Sequence, residues 1–180
     1  MKIFIFFLLL PFFPFCQTVH IADGKIEYKG KEKIEGLSET EILSRAQTSV
    51  ISSLKNYQEL KEDSNKNAVK ARGEIKLNSS YNHIRKVLYS ITITANGGGY
   101  QYHIDSVYLK QKIRGGKTEI RSSKELLEGM EEAGIQVMIL EKILNEIDMR
   151  FQHLIAMLEF KIKTGEELSQ RKPSTRKGRK

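Results

Sequence analysis

The chain has 180 residues, with 30 Lys plus Arg, 22 Asp plus Glu, no Trp and one Cys. That length suits one domain. Charged residues at 29% and hydrophobic residues at 39% exclude a multi-span membrane protein and a wholly disordered chain, and the lone cysteine excludes a disulfide framework or a Cys-rich zinc site. The net charge of +8 is concentrated at the ends. Arg171–Lys180 (RKPSTRKGRK) holds six basic residues and no acid, and Lys2 is a seventh, which leaves Ile3 to Gln170 with 23 basic against 22 acidic residues. A basic surface of the nucleic-acid-binding kind is therefore not implied. Residues 163–180 read as a basic disordered tail, and Arg171–Lys180 offers at most a weak contact to an anionic surface.

Residues 1–16 read as a signal peptide. Met1-Lys2 is a short basic start, and Ile3–Phe15 (IFIFFLLLPFFPF) is almost wholly apolar. The run is too short, and too interrupted by Pro11 and Pro14, for a comfortable membrane span. Six of the eight Phe lie within it. Cleavage is expected near Cys16 and Gln17, with lipidation of Cys16 as the rival reading. Either way the protein is expected to be exported, as a periplasmic or envelope-associated chain.

The domain proper is expected over 17–162. Lys25–Ile34 alternates Ile26, Tyr28 and Ile34 against Lys25, Glu27, Lys29, Lys31 and Lys33, which predicts a strand with one wet face. Ser38-Glu39-Thr40-Glu41 fits a capping box, and Ile42, Leu43, Ala46, Val50 and Leu54 recur at helical spacing behind it. Asn56–Lys61 is a candidate edge strand. Val69 to Leu77 and Val87 to Ile93 alternate cleanly, Asn96-Gly97-Gly98-Gly99 is a hairpin turn, and Tyr100–Gln111 returns as the next strand. Short connections make these strands antiparallel neighbours.

Ser122-Ser123-Lys124-Glu125 is a second capping box, opening a long helix over about 122–162. Within it Met130, Ala133, Val137, Leu140, Leu144, Ile147, Phe151, Leu154 and Leu158 alternate steps of three and four, a coiled-coil seam. Gly134 is a plausible bend. A straight helix of forty residues would run about 60 Å against about 40 Å for the strands. Two readings compete: the helix lies along the sheet as its core cover, or its second half overhangs, so that the seam residues Leu140, Leu144, Ile147, Phe151, Leu154 and Leu158 bind a protein partner or a second copy; the lengths favour the second.

The order strand, helix, four strands, helix is that of one half of a TATA-binding-protein saddle. With the leader, the opening GKIEYKGKEKIEGLSETEILSRA and the long last helix, the chain resembles a family of exported bacterial domains of unknown function described as having a TBP-like fold. The resemblance spans roughly Ala22 to Leu158. It implies an α+β fold, a twisted antiparallel sheet with helices on one face, and an envelope location. It implies no known activity. DNA-bending saddles insert apolar wedges into base steps. The strands expected here hold no Phe and carry no net positive face, so genomic DNA is not an expected ligand.

Enzymatic candidates are sparse. His103 and Asp105 lie two apart on one strand and so share a face, as an oriented acid/base pair would. With His83 they could form part of a metal site, but no nucleophile or further ligand stands at a defined spacing. Tyr100, Tyr102 and Tyr108 have the same parity, a candidate aromatic strip for a small ligand; packing in the core is the commoner use of such residues. No cofactor or metal is expected. The sequence supports a non-enzymatic exported interaction module, with a small-ligand or hydrolase site around His103 and Asp105 as the alternative.

Overall fold

The structure, a computed structural model, describes residues 21–54, 59–63, 67–78, 85–112, 116–131 and 134–165. The leader, Cys16, Gln17, His83, the start of the Asn56–Lys61 strand and residues 166–180 of the basic tail lie outside the described residues, while Lys163 and Thr164, expected in that tail, are the last residues of the final helix. The elements in chain order are β1 (Ile21–Ala22), β2 (Lys25–Ile26), β3 (Tyr28–Lys33), α1 (Glu39–Ser53), β4 (Glu59–Asp63), β5 (Ala68–Lys76), β6 (Arg85–Asn96), β7 (Gly99–Lys112), β8 (Thr118–Ser122), α2 (Ser123–Glu131) and α3 (Gly134–Thr164).

The strands pair antiparallel in the order β3-β7-β6-β5-β4, with β8 on the far end of β7, and β1 and β2 form a separate hairpin. Both helix starts follow from their caps. At α1, Glu41 N donates to Ser38 Oγ at 3.2 Å, but the Glu41 carboxylate accepts from Arg45 instead of reaching back. At α2 the box is reciprocal: Ser122 N donates to Glu125 Oε2 at 2.6 Å, and Glu125 N donates to Ser122 Oγ at 3.3 Å. The Asn96–Gly99 hairpin forms as expected. Gly97 and Gly98 both take positive φ (46° and 88°), the conformation that a two-residue turn between twisted strands requires.

Helices α1 and α3 cover one face of the sheet. Ile42, Ala46, Ser49 and Val50 of α1 are buried, over an inner sheet face of Tyr28, Ala71, Tyr89, Ile91, Ile93, Tyr100 and Ile104. Two glycines let this face flatten. Gly30 lies opposite Tyr102 and Gly73 opposite Tyr89, and a Cβ at either glycine would meet the ring of its cross-strand tyrosine.

The seam of the last helix does not overhang the sheet. Leu144, Ile147, Phe151, Leu154 and Leu158 are all buried in the core, and Leu140 is half-buried against it. The helical pattern is divided into α2 and α3, so α3 is 31 residues, about 46 Å, and β7 at 14 residues is also about 46 Å. The helix runs diagonally along β6. Glu146 accepts from the Asn78 N–H beside the start of β6, Phe151 packs on Tyr89, and Lys163 reaches Glu32 near the β6–β7 turn. The expected partner interface is therefore the intrachain core, and the seam reads as coiled coil only because a sheet-covering stripe has similar spacing. Among the described residues of α3, the most exposed apolar side chains lie at its other end, where Met138 and Ile139 are 64% and 52% exposed.

Phe151 is fully buried, with its ring centroid 5.0 Å from those of both Tyr28 and Tyr89. Phe151→Ala is expected to lower stability by about 3–5 kcal/mol at unchanged molecular mass. Urea unfolding and light scattering of the same samples check this; a change in association with unaltered stability is the opposite result.

Candidate functional site

The face of the sheet away from the helices is polar. Strand register aligns its side chains in rows: Lys31, Gln101 and Thr94 in one, Lys29, His103, Thr92 and Lys70 in the next, and Asp105, Ser90 and Arg72 in a third. The first two rows frame an open groove of about 560 Å³ lined by Lys29, Lys31, Thr92, Thr94, Gln101 and His103, with Gly30 and Tyr102 at its floor. This volume falls within the range of small-ligand sites. Strand β3 supplies one lysine pair, and the β6–β7 hairpin supplies one threonine pair and one amide–imidazole pair at adjacent positions.

His103 and Asp105 do share a face, with His103 Nδ1 3.7 Å from Asp105 Oδ2. The third group is Glu27, whose Oε2 lies 3.4 Å from His103 Nε2 and 2.6 Å from Lys29 Nζ. Lys29 is the main reason that the Glu27 carboxyl is held below its ordinary range, and His103 adds to it. The imidazole is thus flanked by two carboxylates at ion-pair distance. Among the described residues no three side chains are placed to hold a metal ion. Glu27 was legible only as a wet-face residue, because its place beside His103 depends on the register of β3 with β7.

The tyrosine strip does not form. Tyr100 is 2% exposed and Tyr102 half-buried, both on the core face, whereas Tyr108 is 42% exposed on the other face. The cause is a β-bulge. Leu88 pairs with Tyr108 and Ser90 with Asp105, so one residue of β6 stands opposite two of β7, and Ser106 takes φ 53°. Beyond the bulge the parity reverses: Val107 and Leu109 turn inward, against the end of the sheet that α2 covers, and Tyr108 turns out. Alternation read straight through Ser106 gives the wrong face for everything after it.

On the core side Tyr100 and Tyr102 lie beside Glu159 of α3. Burial pushes both tyrosine hydroxyls above their ordinary range, and the Glu159 and Glu32 charges add to it. Burial also raises the Glu159 carboxyl, with Glu32 acting in the same direction and Lys163 against it.

This architecture defines the class: an α+β domain of the TBP-like fold, with one helix after the first long strand and a long helix closing the chain. It is similar to the crystal structure of a TBP-like protein from Parabacteroides distasonis ATCC 8503, with TM-score 0.68 and 14% identity over 82% of this chain and 99% of that chain. It is also similar to a DUF4468 family protein from Bacteroides ovatus ATCC 8483, with TM-score 0.59 and 17% identity over 80% of this chain and 90% of that one. At these identities the likeness is one of fold. No family model and no curated protein matches the chain. Among the described residues no helix is long and apolar enough to cross a membrane.

Ser106→Gly relieves a left-handed backbone at a non-glycine residue and is expected to raise stability by about 1 kcal/mol, whereas Ser106→Val lowers it; denaturant midpoints read both. Glu159 has a folded pKa above its unfolded value, so its ionisation removes stability as the pH rises through that range. Glu159→Gln keeps a neutral group at every pH. Its melting temperature is expected to exceed that of the wild type at neutral pH, and the gain is expected to vanish in acid, where Glu159 is protonated in both states.

Proposed function

We propose that the protein is a non-enzymatic interaction module of the cell envelope, exported through residues 1–16, that binds a protein partner on the helix-free face of its sheet. The observation that carries this reading is the groove across β3, β7 and β6, left open while every apolar stripe of α1 and most of α3 is used to cover the opposite face. Lys31 gives its rim positive charge, Lys29 is held by Glu27 at 2.6 Å, and Thr92, Thr94, Gln101 and His103 give it hydrogen-bonding groups at strand spacing. These suit an extended segment carrying acidic and polar side chains, whose alternate residues meet successive rows. The tail Arg171–Lys180 adds a weak, salt-sensitive attraction to an anionic surface.

A second reading places a small ligand, or hydrolysis, at His103. The two carboxylates that flank it favour an oriented imidazole. Thr92 stands opposite His103 in the groove, but no hydrogen bond joins its hydroxyl to the imidazole among the described residues, which is why binding is the preferred function.

A photo-crosslinking residue at Gln101, introduced into the exported protein in cells, tests the proposal. One stoichiometric envelope protein is expected to be captured, and Lys31→Glu with Thr94→Glu is expected to weaken its binding about tenfold or more by placing like charge against an acidic segment. Capture of the protein itself makes the face a self-association surface. Capture from a probe at Met138 but not at Gln101 moves the interface to the exposed end of α3 and overturns the sheet-face proposal. Hydrolysis lost in His103→Ala, with no capture, supports the second reading.

A further inference from the structure

A second polar site lies on the helical side, away from the groove. Lys161, on the last turn of α3, is only 7% exposed. Its ammonium donates to Ser52 Oγ at 2.9 Å and Ser53 Oγ at 3.0 Å, at the end of α1. Both acceptors are uncharged, and no carboxylate pairs with Lys161 among the described residues. A buried ammonium held only by hydroxyls is an expensive arrangement, since its desolvation is offset by no opposite charge.

The surroundings do not supply that charge. Lys161 lines a cavity of about 100 Å³ together with Ser44, Arg45, Thr48, Ser49, Ser52 and Gly165, room for several waters. Arg45 is the other cation here. It donates to Glu41 Oε1 at 2.8 Å, and to the carbonyls of Lys163 at 3.0 Å and Ile162 at 3.4 Å at the end of α3. Glu41 is therefore matched to Arg45, and Lys163 to Glu32 at 2.6 Å. Arg45 already occupies the last carbonyls of α3, and the partial negative charge at the end of α1 offsets only part of the Lys161 charge. Among the described residues, one positive charge, that of Lys161, is left without a carboxylate beside a solvent-reaching cavity lined by hydroxyls.

We propose that this cavity between α1 and the end of α3 binds a small oxyanion, a phosphate or a carboxylate. Lys161 supplies the charge, with Arg45 as the flanking guanidinium. Ser44, exposed on α1, supplies a hydroxyl beside it, whereas the Thr48 hydroxyl donates to the Ser44 carbonyl at 3.0 Å. Bound there, the anion ties the end of α3 to α1, across the contact that closes the domain over the sheet.

Titration of the purified full chain with inorganic phosphate, and separately with acetate, tests the proposal. Chloride holds the ionic strength constant. Thermal unfolding and calorimetry give the readout. A saturable rise in melting temperature with at least one of the two anions is expected, and the pair tells which oxyanion chemistry the site takes. Lys161→Met keeps the side-chain length without the charge and is expected to weaken binding about tenfold or more. Should that variant fail to fold, Ser44→Glu places a carboxylate at the cavity from an exposed position, and is expected to abolish the anion response while leaving the protein folded. No response beyond that of chloride, or an equal response in Lys161→Met, overturns the proposal. Glu166 and Glu167 follow Gly165 in the sequence. Binding that appears only in the Glu166→Gln/Glu167→Gln variant means that the chain neutralises Lys161 itself, and this also overturns the proposal.

Discussion

The contact of Phe151 with Tyr28 and Tyr89 holds the two layers of this domain together. Tyr28 belongs to the edge strand β3 and Tyr89 to the central strand β6, so one phenylalanine ring of α3 touches both sides of the intervening β7. One turn earlier on the helix, the buried Asp148 accepts a hydrogen bond from the Tyr28 hydroxyl at 2.9 Å. The ring contacts supply area, and the hydrogen bond fixes the angle at which the helix meets the strand, since a buried carboxylate left without its donor is costly. Once α3 is fixed there, the rest of its stripe falls on Ile91, Ile93 and Tyr100. The helix cannot then serve as the external seam that its heptad spacing suggests.

That allocation of apolar surface also decides which side chains each face of the sheet presents. Every tyrosine of the inner face points into the helical layer, and the outer face keeps lysines, threonines, Gln101 and the His103 row. The bulge at Ser106 sharpens the division, since it keeps Val107 and Leu109 with the core while releasing Tyr108. The groove and the Lys161 cavity thus stand on opposite sides of one sheet, and neither draws side chains from the other.

Local patterns carried most of the fold. The caps at Ser38 and Ser122, the turn at Gly97-Gly98 and the alternation of β5 and β6 depend on residues close in the chain, and the structure has them where the sequence puts them. Three features were not legible. The register of β3 with β7, which brings Glu27 to His103, is set by core packing rather than by a turn. The bulge depends on the two facing strands together. Strand β8 is short, with Ile120 54% exposed, so it carries little alternation to read. The last helix does not overhang because β7 extends over 14 residues and the last helical pattern is two helices. The Lys161 cavity left no local sign either, because a lysine in a helix's last turn is ordinary until Ser52 and Ser53 are seen to enclose it.

The position of β7 at the centre of the pairing has a kinetic consequence. It bonds to β6 through a two-residue turn, to β8 through a short connection, and to β3 only across the span from residue 28 to residue 104. The β6–β7 hairpin is the cheapest loop to close, so it is the natural nucleus, and β3 must wait for it. In a chain made from its N-terminus, the opening strand emerges first and finds its partner late. Its lysines at 29, 31 and 33 keep that early edge soluble and poorly suited to pairing with another chain in the interval. The charged row that rims the groove in the finished domain also guards the unfinished one.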